Sequence, residues 1–253
     1  MNLKTETKTA LIDLELISYS HAAKAESTGT GLQSLVEMVE FTIQSVVSAC
    51  RAQKHYLVVS GRDNFRKVLY PDYKAGRREK PALYVPLMDK LEESNASRWC
   101  KHDQLEADDL LGIMLTNGRV KNPILCSIDK DLLGVPGWHY NWNKDDWPRG
   151  VTQAEADFHW LVQLLMGDST DNIEGMKGIG IAKAQKLASS YCEKMGTPLA
   201  PIPAAQKIYE AEGFTLDAYK KCLMLISIWR SPMPAELLEN ELILEVSKTI
   251  PSL

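Results

Sequence analysis

Apolar residues fall in two rhythms along the chain. Thr9 to Leu14 (TALIDL) and Tyr56 to Ser60 (YLVVS) are short, nearly continuous apolar runs, as expected of strands buried on both faces. Between them Leu32, Leu35, Val36, Val39, Ile43, Val46, Val47 and Cys50 recur at steps of three and four, which predicts an amphipathic helix opened by Gly29 and Gly31. A strand, a covering helix and a second strand make a right-handed βαβ unit. The rhythm returns with a helix over Ala107 to Leu115, a strand over Pro123 to Ile128 and a short strand near Tyr140. Such alternation predicts an α/β fold, a mostly parallel central sheet flanked by helices.

Two regions depart from the alternation. Residues 62–81 are polar and basic; from Arg66 to Lys80 there are six Lys or Arg against two acids. From Thr152 the text turns helical. Thr152 and Glu155 form a capping box before a helix reaching Met166. Gly175, Gly178 and Gly180 then open another helix, and prolines (Pro198, Pro201, Pro203, Pro232, Pro234) punctuate the rest. The expected division is an α/β core over residues 1–165, including a basic arch at about 66–95, and a helical lobe over 166–253.

The 253 residues carry 29 Lys or Arg against 33 Asp or Glu, a net charge of −4, which excludes a uniformly basic nucleic-acid coat but not an enzyme with local basic patches. No apolar run is long enough for a membrane span, and MNLKTETKTA has no apolar signal core, so a cytoplasmic protein is expected. The five cysteines (Cys50, Cys100, Cys126, Cys192, Cys222) are odd in number and contain no CxxC pair, which argues against a disulfide framework or zinc site. The five histidines show no ligand spacing, and GxSxG, Walker A and GxGxxG motifs are absent. Trp138, Trp142 and Trp147 are expected to pack the domain junction.

The placement of acids is the most informative feature. In an open parallel sheet, ligands bind beyond the carboxyl ends of the strands. Asp13 ends the first strand, and Asp129 and Asp131 (IDKD) follow the third. Glu106, Asp108 and Asp109 (LEADDLL) sit where a loop meets a helix, and Asp168 and Asp171 (MGDSTDN) are three apart at a helix end, able to share a face. Each group alone has an ordinary reading as a cap, turn or charged helix start. Together they place eight acids, from four separate segments, where mutual repulsion calls for cations. Hard, oxygen-seeking Mg²⁺ suits them, and two such ions can drive phosphodiester hydrolysis. The basic 66–80 stretch, with Tyr70 and Tyr73, offers phosphate and base contacts, although a solvated loop has the same composition. The segment 175–188 (GMKGIGIAKAQKLA) combines close glycines before a helix with Lys177, Lys183 and Lys186, a setting for backbone phosphate contact.

These segments, LIDLEL, FRKVLYPDYKAGR, LEADDLLG, CSIDKDL and MGDSTDNIEGMKGIGIAKAQKL, resemble in type and order the 5′ nucleases, a family of flap endonucleases, polymerase-linked 5′ nucleases and phage 5′→3′ exonucleases. The resemblance spans roughly residues 10 to 190. Phe65-Arg66-Lys67 and the chain's size are most similar to the small stand-alone phage enzymes. It implies a 5′→3′ exonuclease or flap nuclease that leaves 5′-phosphate products in phage or bacterial DNA replication. Asp13, Glu106, Asp108, Asp109, Asp129, Asp131, Asp168 and Asp171 would hold two Mg²⁺ ions, with Mn²⁺ able to substitute. Lys74 and Arg77 would engage the scissile phosphate from a helical arch. Arg66, Lys67, Tyr73, Arg78, Gly178, Gly180, Lys183 and Lys186 would bind DNA, and the glycines would form a helix–turn–helix hairpin that also holds K⁺. Implied partners are duplex DNA with 5′ ends, nicks or flaps and RNA–DNA hybrid, acted on by a monomer in the cytoplasm, the host's if the source is viral.

One departure stands out. The family carries an Asp at the end of its second strand, where this chain has Val59-Ser60-Gly61 and no acid before Asp63. Either Asp63 substitutes or one metal has one ligand fewer. Two other readings stand beside the nuclease: a ribonuclease built on the same acidic core, which the basic arm and glycine hairpin argue against, and a nuclease-inactive DNA-junction binder, supported by the missing acid alone.

Overall fold

The computed structural model describes residues 7–195 and 200–250; Pro198 and the Cys192 side chain lie outside the described set. In chain order the elements are β1 (Thr9–Asp13), α1 (Leu14–Thr28), α2 (Leu32–Ala49), β2 (Lys54–Val59), α3 (Phe65–Leu69), α4 (Tyr84–Asn95), β3 (Trp99–Lys101), α5 (Ala107–Thr116), β4 (Pro123–Cys126), β5 (Gly137–Tyr140) and β6 (Arg149–Val151). There follow α6 (Gln153–Met166), β7 (Gly167–Asp168), β8 (Ile173–Glu174), α7 (Ile181–Met195), α8 (Pro201–Ala211), α9 (Leu216–Ile226), α10 (Ala235–Leu238) and α11 (Glu241–Lys248). The main sheet has the order β3-β2-β1-β4-β5-β6 and is parallel except for β6. The chain leaves β1 for β2 on one side and later reaches β4 on the other. The topological switch point therefore lies between β1 and β4, where Asp13 and the segment after Cys126 emerge.

Strand alternation sorts the core onto two faces. Ala10, Ile12, Leu57, Val59, Ile124 and Cys126 pack under α1, α2 and α4. Leu11, Val58 and Leu125 face α5 and α6, and their cluster runs without interruption through Ala184, Tyr209, Leu223, Trp229 and Val246. The C-terminal helices thus share the hydrophobic core of the sheet. Helix α6 begins with the expected capping box: Thr152 accepts from the Glu155 N–H at 3.2 Å, and Glu155 accepts from the Thr152 N–H at 2.7 Å.

Three expectations change. The connection from β1 to β2 holds two helices. Helix α1 buries Leu14, Ile17, Ser18, Ala22 and Ala25, a face of mostly small residues with no apolar stripe to betray it. Gly29, at φ 69°, ends it in the left-handed conformation. The basic arch is mainly turns: only Phe65–Leu69 is helical before α4 begins at Tyr84. Trp138 and Trp147 are exposed, 56% and 61%, on the outer part of the sheet, while Trp160 and Trp229 fill the core toward the C-terminal helices.

One buried ion pair ties three distant segments together. Arg66 (α3) is 3% exposed and Asp109 (α5) 0%. The Arg66 Nη1 donates to Asp109 Oδ2 at 2.6 Å and Nη2 to Oδ1 at 2.8 Å, a bidentate pair. The remaining guanidinium protons go to the carbonyls of Leu225 (2.8 Å), in the last turn of α9, and Ser227 (2.7 Å), which caps it, and to Glu106 Oε2 (3.3 Å). Asp109 also accepts the N–H groups of Trp229 and Glu106. Every guanidinium proton is used, so the pair is satisfied although dry. Arg66→Met is expected to cost about 3–5 kcal/mol in urea unfolding by leaving Asp109 charged and unpaired, and Arg66→Met/Asp109→Leu is expected to recover a large part of that loss.

Candidate active site

The acids come together beyond the carboxyl ends of β1 and β4, in two groups with opposite surroundings. The first comprises Asp13, Asp108, Asp129, Asp131 and Asp168. Asp13 ends β1, caps α1 through the Leu16 N–H (3.4 Å) and accepts the Ser127 hydroxyl at 2.8 Å. Ser127 Oγ accepts the Asp129 N–H (3.0 Å), and Asp129 Oδ1 accepts the Asp131 N–H (2.8 Å). This chain of bonds shapes the IDKD loop around Asp13. Asp108 projects from the first turn of α5, and Asp168 lies in β7.

Like charges and burial act together on this group. Burial pushes Asp13 up to about 7, with Glu15 and Asp129 adding to the rise and the Ser127 hydroxyl opposing it. Burial also raises Asp108 well above the usual carboxylate range, reinforced by Asp13, Asp129 and Glu106. Asp131 is pushed up to about 6 by burial and then by Asp129 and Asp168. Among the described residues, none of these five acids forms an ion pair.

The second group, Glu106, Asp109 and Asp171, is occupied by cations of the basic arm. Lys74 Nζ bonds Glu106 Oε1 and lies 3.5 Å from Asp171 Oδ2. Arg77 donates from Nε (2.9 Å) and Nη2 (2.5 Å) to Asp171 Oδ1. Tyr73 Oη donates to Glu106 Oε2 at 2.7 Å. Burial works to raise Glu106, but Arg66 and Lys74 outweigh it and hold it down at about 2. The arm is clamped by its backbone as well: the Lys74 N–H donates to the Asp171 carbonyl (3.0 Å) and the Asn172 side chain to the Asp72 carbonyl (3.1 Å).

Several expected roles change on this geometry. Asp109 is consumed by Arg66, which removes both from the exposed surface: Asp109 from the open acids, Arg66 from the phosphate-facing cations. Tyr73 is buried, 3% exposed, and its ring cannot stack on a base. Asp168 and Asp171 sit on a β7–β8 hairpin and its turn, so they diverge, one toward Asp131 and the other toward Arg77. Asp63 is exposed; its N–H is bonded to the Asp103 carbonyl (2.8 Å), and it does not join the acids. Lys67, Arg78, Lys183, Gly180 and Lys186 are exposed, and Gly178, at φ 79°, shapes the turn before α7. Helices α6 and α7 pack against each other across the β7–β8 hairpin and this turn.

The residue pattern did not single out Ser127, Ser60, Glu15 or Gln163. Ser127 and Ser60 each immediately follow a buried parallel strand, the same positional signal that marks Asp13. Gln163, buried in α6, lies beside Asp131 and opposes the rise of its carboxyl. Among the described residues, no three Asp, Glu, His or Cys side chains close into a cage able to hold a metal ion as they stand. Water or substrate oxygens would complete the coordination of any ion held here, which suits Mg²⁺ because it dehydrates reluctantly.

The raised acids carry a pH signature. A carboxyl whose folded value lies above its unfolded one stabilises the fold below the unfolded value, near 3.8, and loses that contribution as pH rises through the folded value, near 7 for Asp13. Without divalent ions, Asp13→Asn is expected to melt at a higher temperature than the parent at pH 8, and the advantage should vanish by about pH 4.

A family model for the 5′-3′ exonuclease N-terminal resolvase-like domain matches residues 8–146. The chain is 32% identical over 123 residues to the exonuclease of Escherichia phage T7, covering 46% of this chain and 41% of that protein. It is 29% identical over 166 residues to a 5′-3′ exonuclease of Buchnera aphidicola, covering 59% of this chain and 58% of that protein. The chain therefore spans less than two thirds of the length of these curated relatives. Among solved structures, a bacteriophage T5 flap endonuclease in complex with DNA and metal ions superposes with a TM-score of 0.63 at 15% identity, covering 95% of this chain and 97% of that one. A T5 5′-exonuclease with bound zinc ions superposes at 0.62 and 16% identity, covering 95% and 97%. At that identity the likeness is one of fold, and it spans the C-terminal helices as well as the sheet. The family model covers more than half of the chain, and with the acids gathered at the β1/β4 switch point this chain belongs to the 5′-3′ exonuclease family.

Proposed function

We propose that the chain hydrolyses DNA phosphodiesters from 5′ ends, nicks or flaps in a divalent-metal-dependent reaction that leaves 5′-phosphate products. The observation that carries this reading is the cluster Asp13, Asp108, Asp129, Asp131 and Asp168: one buried and four half-buried acids, none in an ion pair among the described residues, at the ligand-binding end of a parallel sheet. A donor set made only of carboxylate oxygens fits a hard divalent cation, Mg²⁺ first and Mn²⁺ as its substitute. These five residues would hold the ions, which when bound supply activated water and offset charge developing on the phosphate.

The chain's own residues then have distinct tasks. Ser127 fixes the Asp13 carboxylate and the IDKD loop in one bonded unit. Arg66 and Asp109 anchor the root of the arm, so that Lys74 and Arg77 stand beside the acids. Without substrate these two cations neutralise Glu106 and Asp171. A phosphate entering the site offers them a second anionic partner, and they position it against the open acids. Exposed Lys67 and Arg78 on the arm, and the Gly178–Gly180 turn with Lys183 and Lys186 on α7, would contact duplex phosphates. The same glycine turn is the candidate K⁺ site. Among the described residues no helix is long and apolar enough to cross a membrane, and four free, buried thiols (Cys50, Cys100, Cys126, Cys222) suit the reducing cytoplasm.

End-labelled duplex, nicked and flapped DNA, with and without Mg²⁺, tests the proposal. Cleavage is expected only with the ion and only from 5′ termini; cleavage of single-stranded RNA alone, or DNA binding without turnover in Mg²⁺ or Mn²⁺, would contradict it. Asp129→Asn and Asp108→Asn are expected to lower the rate by at least about two orders of magnitude while DNA affinity in Ca²⁺ stays within a few fold. Arg77→Ala is expected to slow cleavage, and Lys183→Ala/Lys186→Ala to weaken duplex affinity and flatten its salt dependence, read from binding curves at several ionic strengths.

A further inference from the structure

The strands that converge on the site do not contribute equally. β1 ends in Asp13, and β4 is followed by Ser127, Asp129 and Asp131, but β2, on the other side of β1, is followed by Ser60 and Gly61. Gly61 has no room for a side chain: a Cβ there would lie 2.1 Å from the carbonyl oxygens of His102 and Asp103. Those oxygens belong to a loop bonded to residues 61–65, with Gly61 N–H to Leu105 (2.8 Å), Asp63 N–H to Asp103 (2.8 Å) and Phe65 N–H to Gln104 (3.0 Å). The same ladder holds exposed Asp63 away from the site. The end of β2 therefore brings no acid of its own.

An acid arrives there from another element. Glu15, in the first turn of α1, accepts the Ser60 hydroxyl through Oε2 at 2.6 Å. Ser60 Oγ in turn accepts the Ala107 N–H at 3.1 Å, at the start of the helix that carries Asp108. One hydroxyl thus fixes Glu15 to the end of β2 and to the first turn of α5, with its single proton committed to the carboxylate. Glu15 is also the acid that bears most on Asp13, ahead of Asp129. No Lys or Arg pairs with it among the described residues.

We propose that Glu15, held by Ser60, supplies the carboxylate missing from the end of β2 and takes part, directly or through water, in holding a divalent ion beside Asp13 and Asp108. The inference rests on the metal-dependent reading above. An acid in the first turn of a helix has an ordinary role as a partner of the helix dipole, and such a role leaves ion affinity untouched.

The test is Mn²⁺ binding to the DNA-free protein, by calorimetry and by the fall in free-ion electron spin resonance signal, beside the Mn²⁺ concentration giving half-maximal cleavage. Glu15→Gln keeps an acceptor for Ser60 and is expected to weaken one Mn²⁺ site about 10- to 100-fold, raise the half-maximal Mn²⁺ concentration in parallel and leave the metal-free melting temperature no lower. Glu15→Gln/Ser60→Asp, which returns a carboxylate to the end of β2, is expected to regain most of the lost affinity. If the parent binds Mn²⁺ and cleaves DNA while Glu15→Gln matches it in affinity and ion requirement, this inference fails alone. If the parent binds no Mn²⁺ and cleaves nothing, the metal-dependent reading fails and this inference with it.

Discussion

Repulsion among acids at one end of a parallel sheet is the constraint around which this molecule is arranged. The fold answers it in two ways. Glu106, Asp109 and Asp171 receive protein cations, and the surroundings hold Glu106 at about 2. Asp13, Asp108, Asp129, Asp131 and Asp168 receive none, and burial with neighbouring acids raises Asp13, Asp108 and Asp131 above the usual carboxylate range. An unpaired acidic cluster is a poor way to stabilise a fold, since taking charge out of water without a partner costs free energy. It is a sound way to keep a site ready for an ion of higher charge than any side chain carries.

The paired group explains why the arm takes its observed shape. Arg66 anchors its root to α5 and to carbonyls at the end of α9, so the arm, α5 and the C-terminal helices meet at one buried guanidinium. Tyr73 and Lys74 then reach Glu106, and Arg77 reaches Asp171 from a half-exposed position. The cations lie along a gradient from fully committed to half free. Arg66 is structural, while Lys74 and Arg77 hold their acids nearer to solvent.

Much of this was legible in the residues. Continuous apolar runs located β1, β2 and β4, and the three-and-four rhythm located α2, because large side chains pack both faces of the sheet. Helix α1 was hidden because, beyond Leu14 and Ile17, its buried face is serine and alanine. The strand-end rule found Asp13 and the IDKD pair, since the position of an acid just after a buried strand is itself a structural statement. What the pattern could not tell was which acids have partners. Asp108 and Asp109 are adjacent in the chain, yet a rotation of one helical position puts the first in the open cluster and the second in a dry ion pair with a residue 43 positions away. Arg66 and Tyr73 looked like phosphate and base contacts for the same reason: composition does not show burial. Glu15 was missed because it begins a helix whose existence the pattern did not announce.

Ion-dependent stability is the most direct probe of the central claim, because it needs neither substrate nor turnover. A ligand that binds only the folded state raises its melting temperature by mass action. The melting temperature of the parent and of Asp108→Asn should be compared at pH 8 in chelator and in millimolar Mg²⁺. The account predicts a clear Mg²⁺-induced rise in the parent and a much smaller one in Asp108→Asn; equal rises, or no rise in either, would contradict it.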